Sequence, residues 1–278
     1  MATDRHTASM DFWGHLDALR SVLLRCIAIV LLLAVVLFSR MTWIFDHVIL
    51  APCNPGFPLY DLLGRIEGLS LFMPAGINAQ LSDIPLINIH LASQFFIHIS
   101  TSFWLAIVLA FPFLLQQVWG FVSPGLYDGE RRGAGRALLG GTAMFYAGIF
   151  VGYFLVFPLT LRFLAEYQVS ASVPNQIALD SYMDNFLALV LIMGIVFELP
   201  VVAWMLGRCG LLTRNIFTRY RRHAIVALLA LAAVVTPTGD PFTLMVVFLP
   251  VYMLWELSAF LVPKGNSCTD SRTILTQH

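Results

Sequence analysis

Two glutamates, Glu198 and Glu256, lie inside long apolar segments of this 278-residue sequence. Because an ionised side chain at the centre of a bilayer costs about 3 kcal/mol or more, such acids usually mark a functional site or have a buried partner. Pro200 closely follows Glu198, and its ring removes a backbone hydrogen bond and exposes a carbonyl oxygen. Glu198 could therefore line a polar, partly hydrated site, or be a protonated carboxyl group hydrogen-bonded to a neighbouring helix. For Glu256, a site role and packing beneath Trp255 both remain open.

A second set of charged candidates lies in the segment SPGLYDGERR, residues 123–132. This segment places Asp128 and Glu130 next to Arg131 and Arg132. Carboxylates at such a position could accept hydrogen bonds from a cationic partner. The same run is also typical of a solvated surface in which the charges pair with one another. Residue types alone leave both interpretations open.

The sequence contains no constellation of residues typical of an enzyme. Serines and histidines are scattered, and neither a CxxC nor an HExxH spacing occurs, so we predict no catalytic residues, no metal site and no cofactor. His90 and His98 are expected to pack at the membrane interface. The formal net charge of zero gives no reason to expect nucleic-acid binding.

Composition predicts a membrane protein. The chain is 59% hydrophobic and 12% charged, with a mean hydropathy of +0.81, which is too apolar for an ordinary soluble domain. A membrane-spanning helix requires ~20 mostly apolar residues. Six candidate runs occur, at 21–38, 95–119, 137–161, 183–207, 223–235 and 242–262, of which the fifth is short. We therefore predict an all-α integral membrane protein that forms a single six-span domain over residues 1–278.

The distribution of basic residues predicts the orientation. Thirteen of the sixteen Lys and Arg residues lie in the amino-terminal segment, the second and fourth connections and the tail. Because basic loops are retained on the cytoplasmic side, both termini should be cytoplasmic, in the cytoplasmic membrane. The long outer connection, 39–94, should contain short helices on the outer face. A proton-coupled secondary transporter of a small substrate would also use intramembrane acids and is the alternative function, although repeated halves are not evident.

Six short motifs occur in order along most of the chain. They are HLDALR (15–20), AP (51–52), QVWGFVSPGLYDGERR (117–132), FELP (197–200), TPTGDPFT (236–243) and LWE (254–256). Each motif alone would be a weak indication. Together they resemble the signatures of the TatC family, the multispanning receptor subunit of the twin-arginine protein translocase.

The resemblance implies a concave helical bundle that binds twin-arginine signal peptides of folded cargo at its cytoplasmic face. Export would use the protonmotive force and single-span partners, TatA-like and TatB-like proteins, within a complex in which the chain is a homo-oligomer in the lipid bilayer. Carboxylates are natural bidentate acceptors for guanidinium groups, and the resemblance makes Glu130 the expected acceptor of a signal arginine. The other expected signal-peptide-binding residues are Arg20, Phe121, Asp17, Leu16, Tyr127 and Arg131.

The resemblance also assigns residues inside and outside the bilayer. It implies an intramembrane polar site, used for partner docking or deep insertion of the signal, formed by Glu198, Pro200 and Glu256. It implies structural roles in the outer loops for Pro52 and Asp240.

One position departs from the family pattern. The family usually carries Glu two residues before the Arg of the first motif, and here that position is Ala18, with Asp17 one residue earlier. A shift of one residue turns a helical side chain by ~100°, so Asp17 cannot replace the missing acid without a rotation or a local distortion. The contact to the second signal arginine is therefore left open.

Overall fold

The computed structural model describes residues 12–60, 84–122, 134–170, 172, 175–208, 212–236 and 239–262. This part of the chain is mainly helical, which confirms the predicted all-α class. The helices are α1 (Phe12–Ile44), α2 (Ser93–Val122), α3 (Ala134–Val151), α4 (Phe157–Glu166), α5 (Leu179–Val196), α6 (Leu199–Arg208), α7 (Arg214–Arg219), α8 (Arg221–Val235) and α9 (Pro241–Leu261). Two short strands, β1 (Leu86–Ile87) and β2 (Ile177–Ala178), pair in parallel.

Short non-α turns connect some of these helices. A π turn, Phe45–Ile49, continues α1 and is followed by a 3-10 turn, Ala51–Cys53. A second π turn, Gly152–Val156, joins α3 to α4 without a loop. The turns at Phe45–Ile49 and Ala51–Cys53 place short helical pieces at the start of the predicted outer connection, while residues 61–83 of that connection lie outside the described residues.

Five helical segments of the described chain are long and apolar enough to cross a membrane. They are Leu16–Tyr60, Ser93–Phe121, Leu138–Glu166, Leu179–Arg208 and Pro241–Leu261. The fifth predicted run coincides with α8, whose 15 residues extend only about 22 Å against a hydrocarbon thickness of about 30 Å. A count of six spans therefore stays a prediction.

The first of two compact units comprises residues Met1–Ala51 and His90–Thr142. In it, α1 packs along α2 through a buried cluster of Val30, Ala106 and Ala110. The two alanines, 0% and 2% exposed, are four residues apart, and such small side chains allow close approach of helix backbones in a bilayer. His98 Nε2 donates to the carbonyl oxygen of Phe38 at 2.9 Å, and its ring stacks on the Phe38 ring at 4.0 Å. His98 thus has a packing role between the two helices.

The second unit comprises residues Pro52–Ile89 and Ala143–His278. One close helix contact in this unit depends on glycines. A Cβ atom at Gly148 would lie 2.5 Å from the carbonyl oxygen of Met193, and one at Gly152 would lie 3.0 Å from the Cα of Val190. On the facing helix α5, a Cβ atom at Gly194 would lie 2.8 Å from the Ile149 side chain and 2.9 Å from that of Phe145. The absence of side chains at these positions is what allows α3 and α5 to touch through their backbones.

Gly148→Ala should destabilise the protein, because the added methyl group would collide with the carbonyl oxygen of Met193 on a neighbouring helix backbone. Overpacking of this kind costs about 1–3 kcal/mol, and we expect a lower apparent Tm in thermal unfolding of the purified protein in detergent. Gly140→Ala, on the same helix, is the matched control, since its Cβ would meet nothing within 4 Å. Equal Tm values for the two variants would contradict the glycine contact.

Candidate functional site

The helical backbone is interrupted at Phe197 and Glu198, between α5 and α6. The Glu198 N–H donates to the carbonyl oxygen of Ile195 at 3.1 Å, three residues back rather than four. The Glu198 carbonyl oxygen in turn accepts from the N–H groups of both Val201 and Val202 at 3.0 Å. Pro200, the second residue of α6, has no N–H with which to continue the α5 pattern. The FELP sequence therefore produces a tightened turn inside a long apolar helical segment.

The Glu198 side chain is half-buried at this turn. Its Oε1 atom is enclosed, and no described residue of the chain forms a hydrogen bond with it. A buried polar atom without a partner costs about 1–3 kcal/mol, so this oxygen favours contact with a donor from outside. The turn at Glu198 thus contains an enclosed carboxylate oxygen that has no hydrogen-bond partner in the described part of the chain.

Glu256, by contrast, has partners for both of its carboxylate oxygens. Arg221 donates to Glu256 Oε2 at 2.7 Å, and the Tyr252 hydroxyl donates to Oε1 at 2.9 Å. Arg221 is the first residue of α8, whereas Tyr252 and Glu256 lie one turn apart on α9. Glu256 thus connects α8 to α9, and no hydrogen bond joins it to Glu198 in the described part of the chain.

Other arginines near the same helix ends lie on aromatic rings. The Arg208 guanidinium is 4.9 Å from the Trp204 ring centroid, and the Arg214 guanidinium is 5.7 Å from that of Phe260. Beside them, α6, α7 and α9 share a buried cluster of Ala203, Phe217, Ala259 and Val262. Such contacts keep the charge near the surface while the side-chain stems cover apolar area.

Near the start of α1, Leu16, Asp17 and Arg20 are exposed, whereas Ala18 is half-buried. The Ser21 hydroxyl donates to the Ala18 carbonyl oxygen at 2.9 Å, within the helix. Asp17 and Leu16 are three and four residues before Arg20, so all three project from neighbouring parts of the α1 surface.

The remaining expected signal-peptide residues lie in the last turn of α2 and in the segment that follows it. Phe121 is half-buried in the last turn of α2, immediately before the segment 123–133. Tyr127, Glu130 and Arg131 belong to that segment, which lies outside the described residues.

The two residues expected to shape outer loops have clear local contacts. The Tyr60 hydroxyl donates to the buried Pro52 carbonyl oxygen at 2.7 Å, and the guanidinium of Arg162, a residue only 4% exposed, lies 4.6 Å over the Tyr60 ring. Asp240 Oδ1 accepts from the Thr243 N–H at 2.7 Å and caps α9, which starts at Pro241. Proline at the first helical position after an aspartate cap is a favourable way to begin a helix.

Comparison with known families identifies this arrangement. The family model described as Sec-independent protein translocase protein (TatC) matches residues 14–250. The chain belongs to the TatC family. It is 27% identical over 252 residues to the TatC protein of Blattabacterium sp. subsp. Periplaneta americana, covering 91% of this chain and 94% of that one. It is 31% identical over 256 residues to the TatC protein of Haemophilus influenzae, covering 91% and 90%.

A solved structure shares the fold. The crystal structure of the twin arginine translocase receptor TatC in DDM matches with a TM-score of 0.72 and 27% identity, over 90% of this chain and 99% of that chain. The motif-based prediction of the TatC family is confirmed. This chain is therefore a multi-pass membrane component of the Sec-independent, twin-arginine protein translocase, and it is a transport protein.

Several positions that shape this TatC structure were missed in the sequence. Gly148 and Gly152 carry a recognisable signal, because GxxxG in an apolar helix is typical of close helix packing. The pairing of Arg221 with Glu256 has no local signal, since the two residues are separated by 35 positions. The burial of Arg162 over Tyr60 likewise depends on how the elements pack.

The Arg221 and Glu256 side chains are 53% and 33% exposed, so their pairing should stabilise the fold only modestly. In a double-mutant cycle of Arg221→Met and Glu256→Gln, we expect a coupling energy below about 1 kcal/mol, measured by thermal unfolding. Arg222→Met, at the neighbouring exposed position, is the matched control and should show no coupling to Glu256→Gln. Equal coupling for both arginines would refute a specific pair.

Proposed function

We propose that this TatC-family chain is the receptor for twin-arginine signal peptides and the core subunit of a translocase that exports folded proteins, driven by the protonmotive force. The likeness to the solved twin arginine translocase receptor, at a TM-score of 0.72 over 90% of this chain, carries the proposal. In this arrangement both termini are cytoplasmic, and six helices cross the cytoplasmic membrane as one domain.

Signal recognition is assigned to the cytoplasmic face, with Glu130 as the main acceptor. A carboxylate can accept two parallel hydrogen bonds from one guanidinium group, a geometry that an ammonium group cannot reproduce. Leu16, Asp17 and Arg20 are exposed on α1 and are available to the same ligand. Phe121 supports the surface at the end of α2, and Tyr127 and Arg131 flank Glu130 in the chain.

The contact to the second signal arginine is assigned to Asp17. Ala18, which replaces the usual glutamate, is half-buried and could not offer a polar group, whereas Asp17 is exposed. Because Asp17 is turned by ~100° from the position of Ala18, the signal peptide would approach α1 from a different side than in relatives that carry the glutamate.

Glu198 is assigned to the docking of TatA-like and TatB-like single-span partners or of a deeply inserted signal hairpin. Support comes from its enclosed Oε1 atom, which has no donor among the residues that the structure describes. A polar side chain of an incoming helix needs a counterpart in lipid, and Glu198 would supply one. Pro200 sets the turn that presents the carboxylate, while Glu256 holds α8 against α9.

Glu130→Gln should weaken binding of a twin-arginine signal peptide about 10- to 100-fold, because hydrogen bonds to a charged group contribute about 1.5–3 kcal/mol. Export of twin-arginine cargo should fall accordingly in a strain that lacks its native receptor, with unchanged protein levels in the membrane. Asp128→Asn, two residues away, is the matched control and should retain export. Normal binding and export by the Glu130→Gln variant would count against the receptor proposal.

Glu198→Ala should reduce site-specific crosslinking to single-span partners more than it reduces surface binding of the signal peptide. The Glu198→Gln variant keeps hydrogen-bonding capacity and should retain part of the crosslinking. Leu199→Ala removes an adjacent, 38% exposed side chain and serves as the control. If Glu198→Ala and Leu199→Ala gave the same crosslinking yield, Glu198 would have no special role in docking.

A further inference from the structure

A cavity of about 410 Å³ lies in the hairpin formed by α4, the following turn and α5. Phe157, Thr160 and Tyr182 line it and are almost completely buried, at 2%, 1% and 2% exposure. Asn175 and Gln176 also line it and are exposed, so the cavity runs from the surface of the turn into the space between the two helices. Its volume is within the range of small-molecule sites in proteins.

The walls of this cavity are held by contacts of the protein itself. Asn175 Nδ2 donates to the carbonyl oxygens of Leu164, Ala165 and Tyr167, at 3.3, 3.1 and 2.7 Å, and so fixes the turn to the end of α4. The β1–β2 pairing holds Ile177, another wall residue, opposite Leu86. The site is therefore formed before any ligand binds, which lowers the entropic cost of binding.

Two polar side chains in the cavity wall have oxygens without hydrogen-bond partners in the described part of the chain: Thr160 Oγ1 and Asn185 Oδ1. Asn185 Nδ2 donates to the Ser181 carbonyl oxygen at 2.9 Å, which orients the amide and leaves Oδ1 as the available acceptor. Thr160 lies six residues before the end of α4, and Asn185 six after the start of α5. Both are thus ~9 Å from the hairpin end.

The lining excludes some ligands and favours others. Among the residues that the structure describes, none that lines the cavity is charged, so a phosphate or carboxylate drawn into it would lose its hydration without compensation. Asn185 Oδ1 requires a donor, and the Thr160 hydroxyl can donate to an acceptor. The rings of Phe157 and Tyr182, 5.2 Å apart, provide an apolar wall. A complementary ligand is uncharged, carries a donor beside an acceptor, and has a hydrocarbon portion.

We propose that this cavity binds an uncharged glycerolipid with a free hydroxyl group, of the diacylglycerol type. The lipid hydroxyl donates to Asn185 Oδ1, an ester carbonyl accepts from the Thr160 hydroxyl, and the start of an acyl chain contacts Phe157, Leu161 and Tyr182. The bilayer supplies such molecules at the depth of the site, since ~9 Å from a hairpin end is close to the glycerol region of one leaflet.

The full-length protein in phosphatidylcholine nanodiscs tests the site. Increasing dioleoylglycerol should raise its apparent Tm, because a ligand that binds only the folded state stabilises it. Trioleoylglycerol, which lacks the hydroxyl donor, should produce no such rise. A photoactivatable diacylglycerol should label the hairpin between residues 157 and 185. An equal response to both lipids, or labelling confined to other segments, would overturn the proposal.

Variants identify the two contacts. Thr160→Val keeps the shape of the side chain but removes its hydroxyl, and Asn185→Leu removes the amide oxygen. Each single variant should weaken the dioleoylglycerol response about two- to tenfold, the loss expected for one hydrogen bond. Thr101→Val is the matched control, since Thr101 on α2 is also fully buried with an unpartnered hydroxyl but does not line the cavity. A full response in Thr160→Val and Asn185→Leu would mean a general effect of diacylglycerol on the bilayer, and an equal loss in Thr101→Val would mean that the loss is not specific to the cavity; either result would overturn the proposal. If a variant does not fold, labelling of the hairpin in the unmodified protein by the photoactivatable diacylglycerol tests the site without it.

Discussion

A membrane interior offers no water to a polar group, and this constraint accounts for most of the contacts described above. Where the chain buries a donor or acceptor, it usually provides the partner itself. Tyr60 donates to the Pro52 carbonyl oxygen, His98 to that of Phe38, and Asp240 accepts from the first turn of α9. Against this background, the polar oxygens that lack a described partner become informative, because a buried acceptor or hydroxyl without a partner needs a specific explanation.

The two intramembrane glutamates illustrate the distinction. Residue type and local sequence make them look alike, since each is a carboxylate inside an apolar run. Glu256 is satisfied by Arg221 and Tyr252 and so contributes to the architecture of the α8–α9 pair. Glu198 retains an enclosed oxygen without a described partner, and for this reason it is the acid that we propose meets an incoming helix.

Much of the fold could be predicted from the sequence, because apolar runs of suitable length are a direct consequence of the bilayer's thickness. The helices lie over the predicted segments, and the interruption near Glu198 follows from Pro200. Boundaries were less predictable: α1 ends at Ile44, beyond the predicted run 21–38, because the helix continues through Ser39 and Arg40. Contacts between distant residues, such as Arg221 with Glu256 or Arg162 with Tyr60, depend on how helices are placed in space. No local pattern encodes them.

The turn at Glu198 divides a 30-residue apolar segment, Leu179–Arg208, into two rods of unequal length. The 18-residue helix α5 is held against α3 by the glycine contacts. The 10-residue helix α6 instead follows the turn at Glu198, where Pro200 leaves one backbone hydrogen bond unformed. Bending at that turn breaks fewer bonds than bending anywhere else along the segment. This span is therefore least stiff at Glu198. A force on α6 would bend the backbone there before it disturbed the glycine contacts between α3 and α5.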